Sequence, residues 1–332
     1  PLPPGTKTTG PRKLNTSQWG YVCPMESPDG GNTGIINHIA ISASVTFGIP
    51  EENIIKACFD NEVIGISDIL PGDIYNSYRV FVNGNWIGIH KDPLYFYKLM
   101  RLLKRNSFIN ILTSISWDII TNEIHIFTDE GRLYRPLLIL SKINEEWSKS
   151  ATIPFNPLLL GDIKYLSNIN KLVHGYLFND NAISDEIKGE IDELTIYNEK
   201  YYKEVLDSLK AEYIDEVTGN ILKDQLLEFL ESVQSYIEYI DVSETNSMFI
   251  AKDPYSINNK DYTHCEIHQS LILSPTSMHV PFPENSPAVR CMYSVQQTRH
   301  AVAVYSSAYN TRFDTFSNIL YYPQRPLISS RY

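Results

Sequence analysis

An Asn83-Gly84 pair stands between two runs rich in β-branched and aromatic residues, Tyr78-Arg79-Val80-Phe81-Val82 and Trp86-Ile87-Gly88-Ile89. Both central residues of a tight hairpin turn need positive φ, which Asn and Gly adopt at least cost. The pair therefore commits this stretch to an antiparallel hairpin. Directly after it, Asp92-Pro93 reads as a helix N-cap followed by proline at the first helical position, where no N–H is needed. Helical spacing then places Phe96, Leu99, Met100 and Leu103 on one face and Lys98, Arg101, Lys104 and Arg105 on the other. A second hairpin is expected through residues 115–120 and 123–128, and the Asp129-Glu130-Gly131 turn leads into Arg132-Leu133-Tyr134-Arg135.

The flanking regions differ. Residues 1–34 are rich in Gly, Pro, Ser and Thr and read as loop. Residues 35–47 are apolar and β-branched around small residues and read as a buried strand or short helix. Residues 222–240 have helical spacing, with Leu226, Leu230, Val233 and Ile237 on one stripe. After Asn246 the pattern turns β-like and proline-punctuated. A chain of 332 residues suggests about two domains. The expected class is mixed α+β and multidomain, without a repeat of solenoid length.

The formal net charge is −11, which on average argues against nucleic acid. The charge is not evenly spread. Residues 185–241 hold 16 acidic and 5 basic side chains, so the remainder is neutral. The ends are basic: residues 1–14 carry Lys7, Arg12 and Lys13 with no acid, and residues 285–332 carry five Arg against Asp314 alone. The acidic stretch reads as a solvated helical face, with a surface recruiting other proteins as its alternative. The basic stretch, where Arg290, Arg299, Arg312, Arg325 and Arg331 alternate with Tyr293, Tyr305, Tyr309, Tyr321 and Tyr322, joins phosphate-pairing groups to stacking rings. Composition leaves nucleic-acid contact and an ordinary polar surface both open.

Other chemistry is less supported. Cys23, Cys58, Cys265 and Cys291 have no zinc-ribbon spacing and read as buried, reduced thiols of an intracellular protein. His264, Glu266 and His268 would share one strand face, but alternate residues stand about 6.6 Å apart, which suits tetrahedral zinc poorly. A hydrogen-bonded polar strand is expected there, and no metal. Cys23 lacks the surroundings of a known cysteine nucleophile. The glycine-rich 29–34 stretch lacks the Gly-Lys-Ser/Thr ending of a phosphate loop and reads as a tight turn. No apolar run approaches the ~20 residues of a membrane span, so no membrane partner is expected. The opening Pro1-Leu2-Pro3-Pro4, without Met or a signal peptide, reads as the interior of a longer chain.

One long motif reaches further. The string Leu14-Asn15-Thr16-Ser17-Gln18-Trp19-Gly20-Tyr21-Val22-Cys23-Pro24-Met25-Glu26-Ser27-Pro28-Asp29-Gly30 closely resembles a signature of the second-largest subunits of multi-subunit DNA-directed RNA polymerases. Residues 80–88, 127–137, 263–268 with Pro281-Phe282-Pro283, and 312–315 with 320–327 resemble its eukaryotic-type form, in family order. Residues 141–221 have no clear counterpart and read as a divergent insertion. The Asn-, Ile- and Tyr-rich composition is similar to that of polymerase subunits of large DNA viruses.

The resemblance implies four regions: 1–48 as the later part of the fork, 49–140 and 141–246 as two external domains, and 247–332 as the start of the hybrid-binding domain. The fork, external and hybrid-binding regions would be β-rich, with a helical acidic insertion. Lys7, Arg12, Lys13, Arg290, Arg299 and His300 would contact nucleic acid, and Glu26, Gly30, Gln296 and Gln297 would support the active centre. His300 stands where the family has Gln, Asn15 where His is frequent, and the usual Met-Gly of this segment is missing. No catalytic residue and no metal ligand is expected within the chain. Mg2+ of the assembled enzyme would be bound mainly by the largest subunit. Implied partners are that subunit, smaller subunits, template DNA, nascent RNA and nucleoside triphosphates. The implied location is the nucleus, or a cytoplasmic viral factory or virion. The alternative is a non-catalytic module or split-subunit remnant that docks transcription partners through the acidic segment.

Overall fold

The computed structural model describes residues 8–140, 223–252 and 262–299, with 173–175, 206–207, 210–211, 213, 322 and 324. In chain order its main elements are β1 (Ser44–Val45), α1 (Glu51–Asp60), β2 (Ile64–Gly65), β3 (Tyr78–Val82), β4 (Asn85–His90), α2 (Pro93–Arg105), β5 (Ser114–Asp118), β6 (Glu123–Phe127), β7 (Leu133–Ile139), α3 (Lys223–Ser232), β8 (Ile237–Asp241), α4 (Val242–Thr245), β9 (Ile250–Ala251), β10 (His264–Cys265) and α5 (Ala288–Arg299). The fold mixes helices with two mixed sheets of five strands each.

The first sheet runs β2-β4-β3-β6-β5, antiparallel except for the β3/β6 pair. Both expected hairpins are present, and Asn83 and Gly84 both have positive φ. Asp92 caps α2 by accepting from the Tyr95 N–H at 3.1 Å, with Pro93 opening the helix. Phe96, Leu99, Met100 and Leu103 pack against Val80, Val82, Ile115, Ile124 and Ile126 of the sheet and Leu226 and Leu230 of α3. Burying one side chain of this size stabilises by about 1.5–3 kcal/mol, so this cluster dominates the cohesion of the region.

The second sheet is organised around β7. Strand β8 pairs along one edge, β1 and β10 share the other, and β9 lies parallel beyond β10. Pro136 sits mid-strand, where a missing N–H usually breaks a ladder. Here Ser44 and Val45 pair with Tyr134 and Leu133, and His264 and Cys265 with Ile139 and Leu138. The Leu140 N–H bonds Thr263 on that shared edge, while the Ile139 N–H faces β8. Alternation then points the absent Pro136 N–H into the gap between β1 and β10, so no bond is lost. The sheet gathers strands from all four regions implied by the resemblance.

Three local readings need correction. Residues 35–47 form neither a helix nor a buried strand: only β1 is regular, and Ile36, Ile39, Ile41, Val45 and Phe47 are exposed. The segment is held by irregular bonds instead, such as Ile41 N–H to Leu273 O and Ala40 N–H to Tyr21 O. The 222–240 helix stops at Ser232, and Ile237 begins a strand. The run Tyr236-Ile237-Glu238-Tyr239-Ile240 is β-branched and aromatic, and pairing with β7 wins over helical spacing. The acidic stretch is not wholly a solvated face, because Glu238 and Asp241 are buried. Most of that stretch lies outside the described residues.

Candidate nucleic-acid interface

Two segments carry the residues implied by the resemblance: residues 8–45, and residues 262–299 ending in α5. They meet in a buried contact. Gly20 has φ +77°, and a Cβ there would overlap the Arg135 guanidinium. Only glycine meets both conditions. Arg135 lies over the Tyr21 ring, 5.2 Å from its centroid, and its Nη1 donates to both Glu266 oxygens at 2.7 Å. The Tyr21 hydroxyl donates to the Ile240 carbonyl at 3.1 Å and lies 2.7 Å from Thr245 Oγ1. Burial pushes that hydroxyl's pKa up, so it stays protonated. Three motifs far apart in sequence thus interlock through one arginine.

Cys23 extends this seam. Its Sγ accepts from the Met25 and Glu26 N–H groups and lies 3.3 Å from Ser277 Oγ. All four cysteines are buried and none is in a disulfide. Glu26 is buried and faces His38 at 3.6 Å.

The 29–34 stretch is a tight turn, as read from the sequence. Asp29 accepts from the Gly30 N–H, Gly34 N–H donates to Ser27 Oγ at 2.8 Å, and Gly30 has φ +86°. Half-buried Arg12 grips the turn, donating from Nη1 to the Gly31 carbonyl at 2.7 Å and the Thr33 carbonyl at 3.0 Å. Gly34 (φ +74°) permits the Arg12 backbone to pack against it, since a Cβ would overlap the Arg12 carbonyl. Lys13 follows, exposed.

Helix α5 reaches this turn. The Tyr293 hydroxyl donates to Asp29 Oδ2 at 2.8 Å, and the exposed Arg290 guanidinium lies 5.9 Å from the Tyr293 ring centroid. Arg12 thus bonds the turn directly, and Arg290 reaches it only by way of Tyr293, whose hydroxyl bonds Asp29. Gln297 is exposed, and Gln296 Oε1 is buried with no partner among the described residues. Lys7, His300 and the Arg299 side chain lie outside the described residues, as do Arg312, Arg325 and Arg331.

The ligand types at 264–268 diverge. His264 bonds Glu238, Glu266 bonds Arg135, and His268 accepts from the Ser270 N–H. Among the described residues no group of three His, Cys, Asp or Glu is arranged to hold a metal.

Sequence reasoning missed a buried charge network behind this surface. Of the cationic face of α2 only Lys98 is exposed; Arg101, Lys104 and Arg105 pair with acidic side chains of β8 and α4. Arg101 Nη2 and Arg105 Nε each donate to Glu238 Oε2 at 2.8 Å. His264 Nε2 lies 3.0 Å from the same oxygen. Burial drives the His264 pKa down to about 4, against the pull of Glu238. Burial alone would raise the Glu238 carboxyl, but Arg101 and Arg105 hold it well below the usual carboxylate range. Two guanidiniums already balance one carboxylate, so a neutral imidazole donating its Nε2–H fits. Lys104 Nζ donates to both Glu244 oxygens at 2.8 and 2.9 Å, and Glu244 also accepts from the Ile115 N–H at 2.9 Å. Asp241 and Glu244 form a capping box, and that spacing was readable in the sequence.

The sequence has relatives among known proteins. Residues 3–45 match the family described as RNA polymerase Rpb2, domain 3, and residues 80–141 match RNA polymerase Rpb2, domain 4. The chain is 31% identical to the DNA-directed RNA polymerase II subunit RPB2 of Meyerozyma guilliermondii, over 98% of this chain and 26% of that protein. It belongs to the Rpb2 family of RNA polymerase second subunits. Rpb2 of Eremothecium gossypii is 28% identical over 98% of this chain and 25% of its own length. The DNA-directed RNA polymerase subunit 2 of Acanthamoeba polyphaga mimivirus is 26% identical over 98% and 24%. The chain thus spans about a quarter of the length of these Rpb2 relatives. Gly20 and Tyr21 fall in the stretch matched to Rpb2 domain 3 and Arg135 in that matched to domain 4, so the interlock joins the two.

Proposed function

We propose that this Rpb2-type chain contributes to a DNA-directed RNA polymerase, helping form the active-centre cleft and hold the RNA–DNA hybrid during templated synthesis. The observation that carries the reading is the interlock of Gly20, Arg135 and Glu266, which ties together three family motifs, two of them on the segments that carry the turn and α5. In this reading residues 1–48 are the later fork, 49–140 and 141–246 the external domains, and 247–332 the start of the hybrid-binding domain. The partners are the largest subunit, smaller subunits, DNA, RNA and nucleoside triphosphates. The location is the nucleus, or a viral factory or virion. Among the described residues no helix is long and apolar enough to cross a membrane.

Nucleotidyl transfer depends mostly on positioning and electrostatics. The chain's share is to place the guanidinium and ammonium groups of Lys7, Arg12, Lys13, Arg290 and Arg299, and the imidazole N–H of His300, along a polyanion. The turn at Gly30 with Glu26, Gln296 and Gln297 braces that surface. Mg2+ supplies charge neutralisation at the reacting phosphates in the assembled enzyme. The buried Glu238, Glu244 and Glu266 are each bound by a cationic side chain, so they do not fit a metal without losing that partner. The largest subunit is the proposed holder, and the chain alone is expected to be inactive.

The test is Arg299→Ala in the assembled polymerase. Slower elongation, faster loss of the RNA–DNA hybrid at a given salt concentration, and a logarithmic salt dependence flatter by about one unit are expected. Unchanged elongation and unchanged salt sensitivity would contradict the assignment of Arg299 to hybrid contact.

A further inference from the structure

We propose that Tyr293 is a positioning residue for Arg290, coupling that guanidinium to the Gly30 turn through Asp29, so that turn and helix present a phosphodiester site as one body. The inference rests on the proposed hybrid contact and adds to it a tethering role for Tyr293, which the sequence offered only as a stacking ring.

Three observations carry it. The Tyr293 hydroxyl donates to Asp29 Oδ2 at 2.8 Å across 264 residues of sequence. The Arg290 guanidinium lies 5.9 Å from the same ring's centroid, within the range where the ring quadrupole attracts a cation. Arg12 fastens the other side of the turn through the Gly31 and Thr33 carbonyls. Asp29 also caps the turn by accepting from the Gly30 N–H through its other oxygen, so it is committed on both sides. The hydrogen bond to Asp29 raises the Tyr293 pKa, which keeps the hydroxyl a donor.

The chemistry explains why a tyrosine serves here. An exposed arginine explores many rotamers, and each phosphate contact must offset that entropy. A ring held at one end by a carboxylate gives the guanidinium a fixed face to lie on. Phenylalanine would keep the face and lose the tether. Leucine would lose both. The carboxylate itself is occupied by Tyr293 and the Gly30 N–H, which lessens its repulsion of a nearby phosphate.

The experiment measures the lifetime of stalled elongation complexes against salt for the assembled polymerase carrying Arg290→Ala, Tyr293→Phe, Asp29→Ala, Asp29→Asn, and Arg290→Ala with Tyr293→Phe. Arg290→Ala is expected to shorten the lifetime and flatten the logarithmic salt dependence by about one unit, as loss of one phosphate contact does. Tyr293→Phe and Asp29→Ala are expected to shorten it about threefold, the scale of one exposed hydrogen bond. Asp29→Asn, which still accepts the hydroxyl, is expected to restore most of it. In the double variant Tyr293→Phe should add nothing, because its effect passes through Arg290. A wild-type lifetime for Tyr293→Phe, or a full additive loss in the double variant, would overturn the positioning role while leaving the hybrid contact intact. A wild-type lifetime and salt slope for Arg290→Ala would overturn the underlying contact and the inference with it.

Discussion

Arg135 donates from Nη1 to both carboxylate oxygens of Glu266 at 2.7 Å, with both residues almost fully buried. This pair sits directly beneath Gly20, and it explains why a glycine occupies that place in the long Trp19-Gly20-Tyr21 motif. The residue implied to contact nucleic acid on α5 and the turn at Gly30 are both carried by segments that the pair holds together.

Gly20→Ala should therefore cost more than a backbone strain alone. Positive φ for a side-chain-bearing residue costs of order 1–3 kcal/mol, and the added methyl must also displace a buried guanidinium. The full-length subunit should lose thermal stability accordingly. An unchanged unfolding midpoint in calorimetry would show that Arg135 can move aside freely.

Removing Glu238 takes the carboxylate partner from two part-buried arginines, Arg101 and Arg105. Glu238→Ala should destabilise by about 3–5 kcal/mol, the usual cost of leaving a buried charge unpaired. Glu238→Gln keeps an acceptor and should cost less. Denaturant unfolding of the full subunit distinguishes them, and equal losses for the two variants would contradict a charge-based role.

Lys104 and Glu244 form a second buried pair at 2.8 Å. Lys104→Met alone should be strongly destabilising, because it leaves the carboxylate uncompensated. Adding Glu244→Gln should recover part of the loss, since a neutral pair has no charge to desolvate. Strict additivity in a double-mutant cycle would refute the pairing.

Acid should weaken this region in two steps. His264 is held to about 4 by burial, against an ordinary value of 6.5. As pH falls through 6.5 the unfolded chain takes up a proton that the folded chain refuses until about 4, so stability drops across that window. The Glu238 carboxyl has its pKa lowered from 4.5, so its contribution, present above that value, is lost only as pH falls further through its folded pKa. Stability of the full subunit measured from pH 7 to 4 should slope downward, and His264→Gln should flatten the part between 6.5 and 4. An identical slope in that variant would contradict a buried neutral imidazole.

How much of this was legible depends on the range of the forces. Asn83-Gly84 and Asp92-Pro93 act within a few residues, and both elements formed where the sequence placed them. Pro136 could not be assigned a harmless place from sequence, because its tolerance depends on a gap between two strands contributed by distant segments. The end of α3 was misread because Ile237 satisfies a helical stripe and a strand equally, and only β7 decides between them. The cationic face of α2 gave no sign that Glu238 and Glu244, more than 130 residues away, would cover it. At the candidate interface, family motifs pointed to Arg12, Gly30 and Arg290. Tyr293 and Asp29 lay inside or beside those motifs, but their contact spans 264 residues and no local pattern announces it.

The most direct test of the proposed hybrid contact is crosslinking in the assembled polymerase. A stalled elongation complex is prepared with a photoreactive nucleotide at successive positions of the RNA within the hybrid, and the crosslinked peptides are mapped. The expected result is adducts on residues 285–300, including the Arg290 turn of α5, that disappear when the hybrid is released. Adducts confined to other parts of the enzyme at every hybrid position would contradict it.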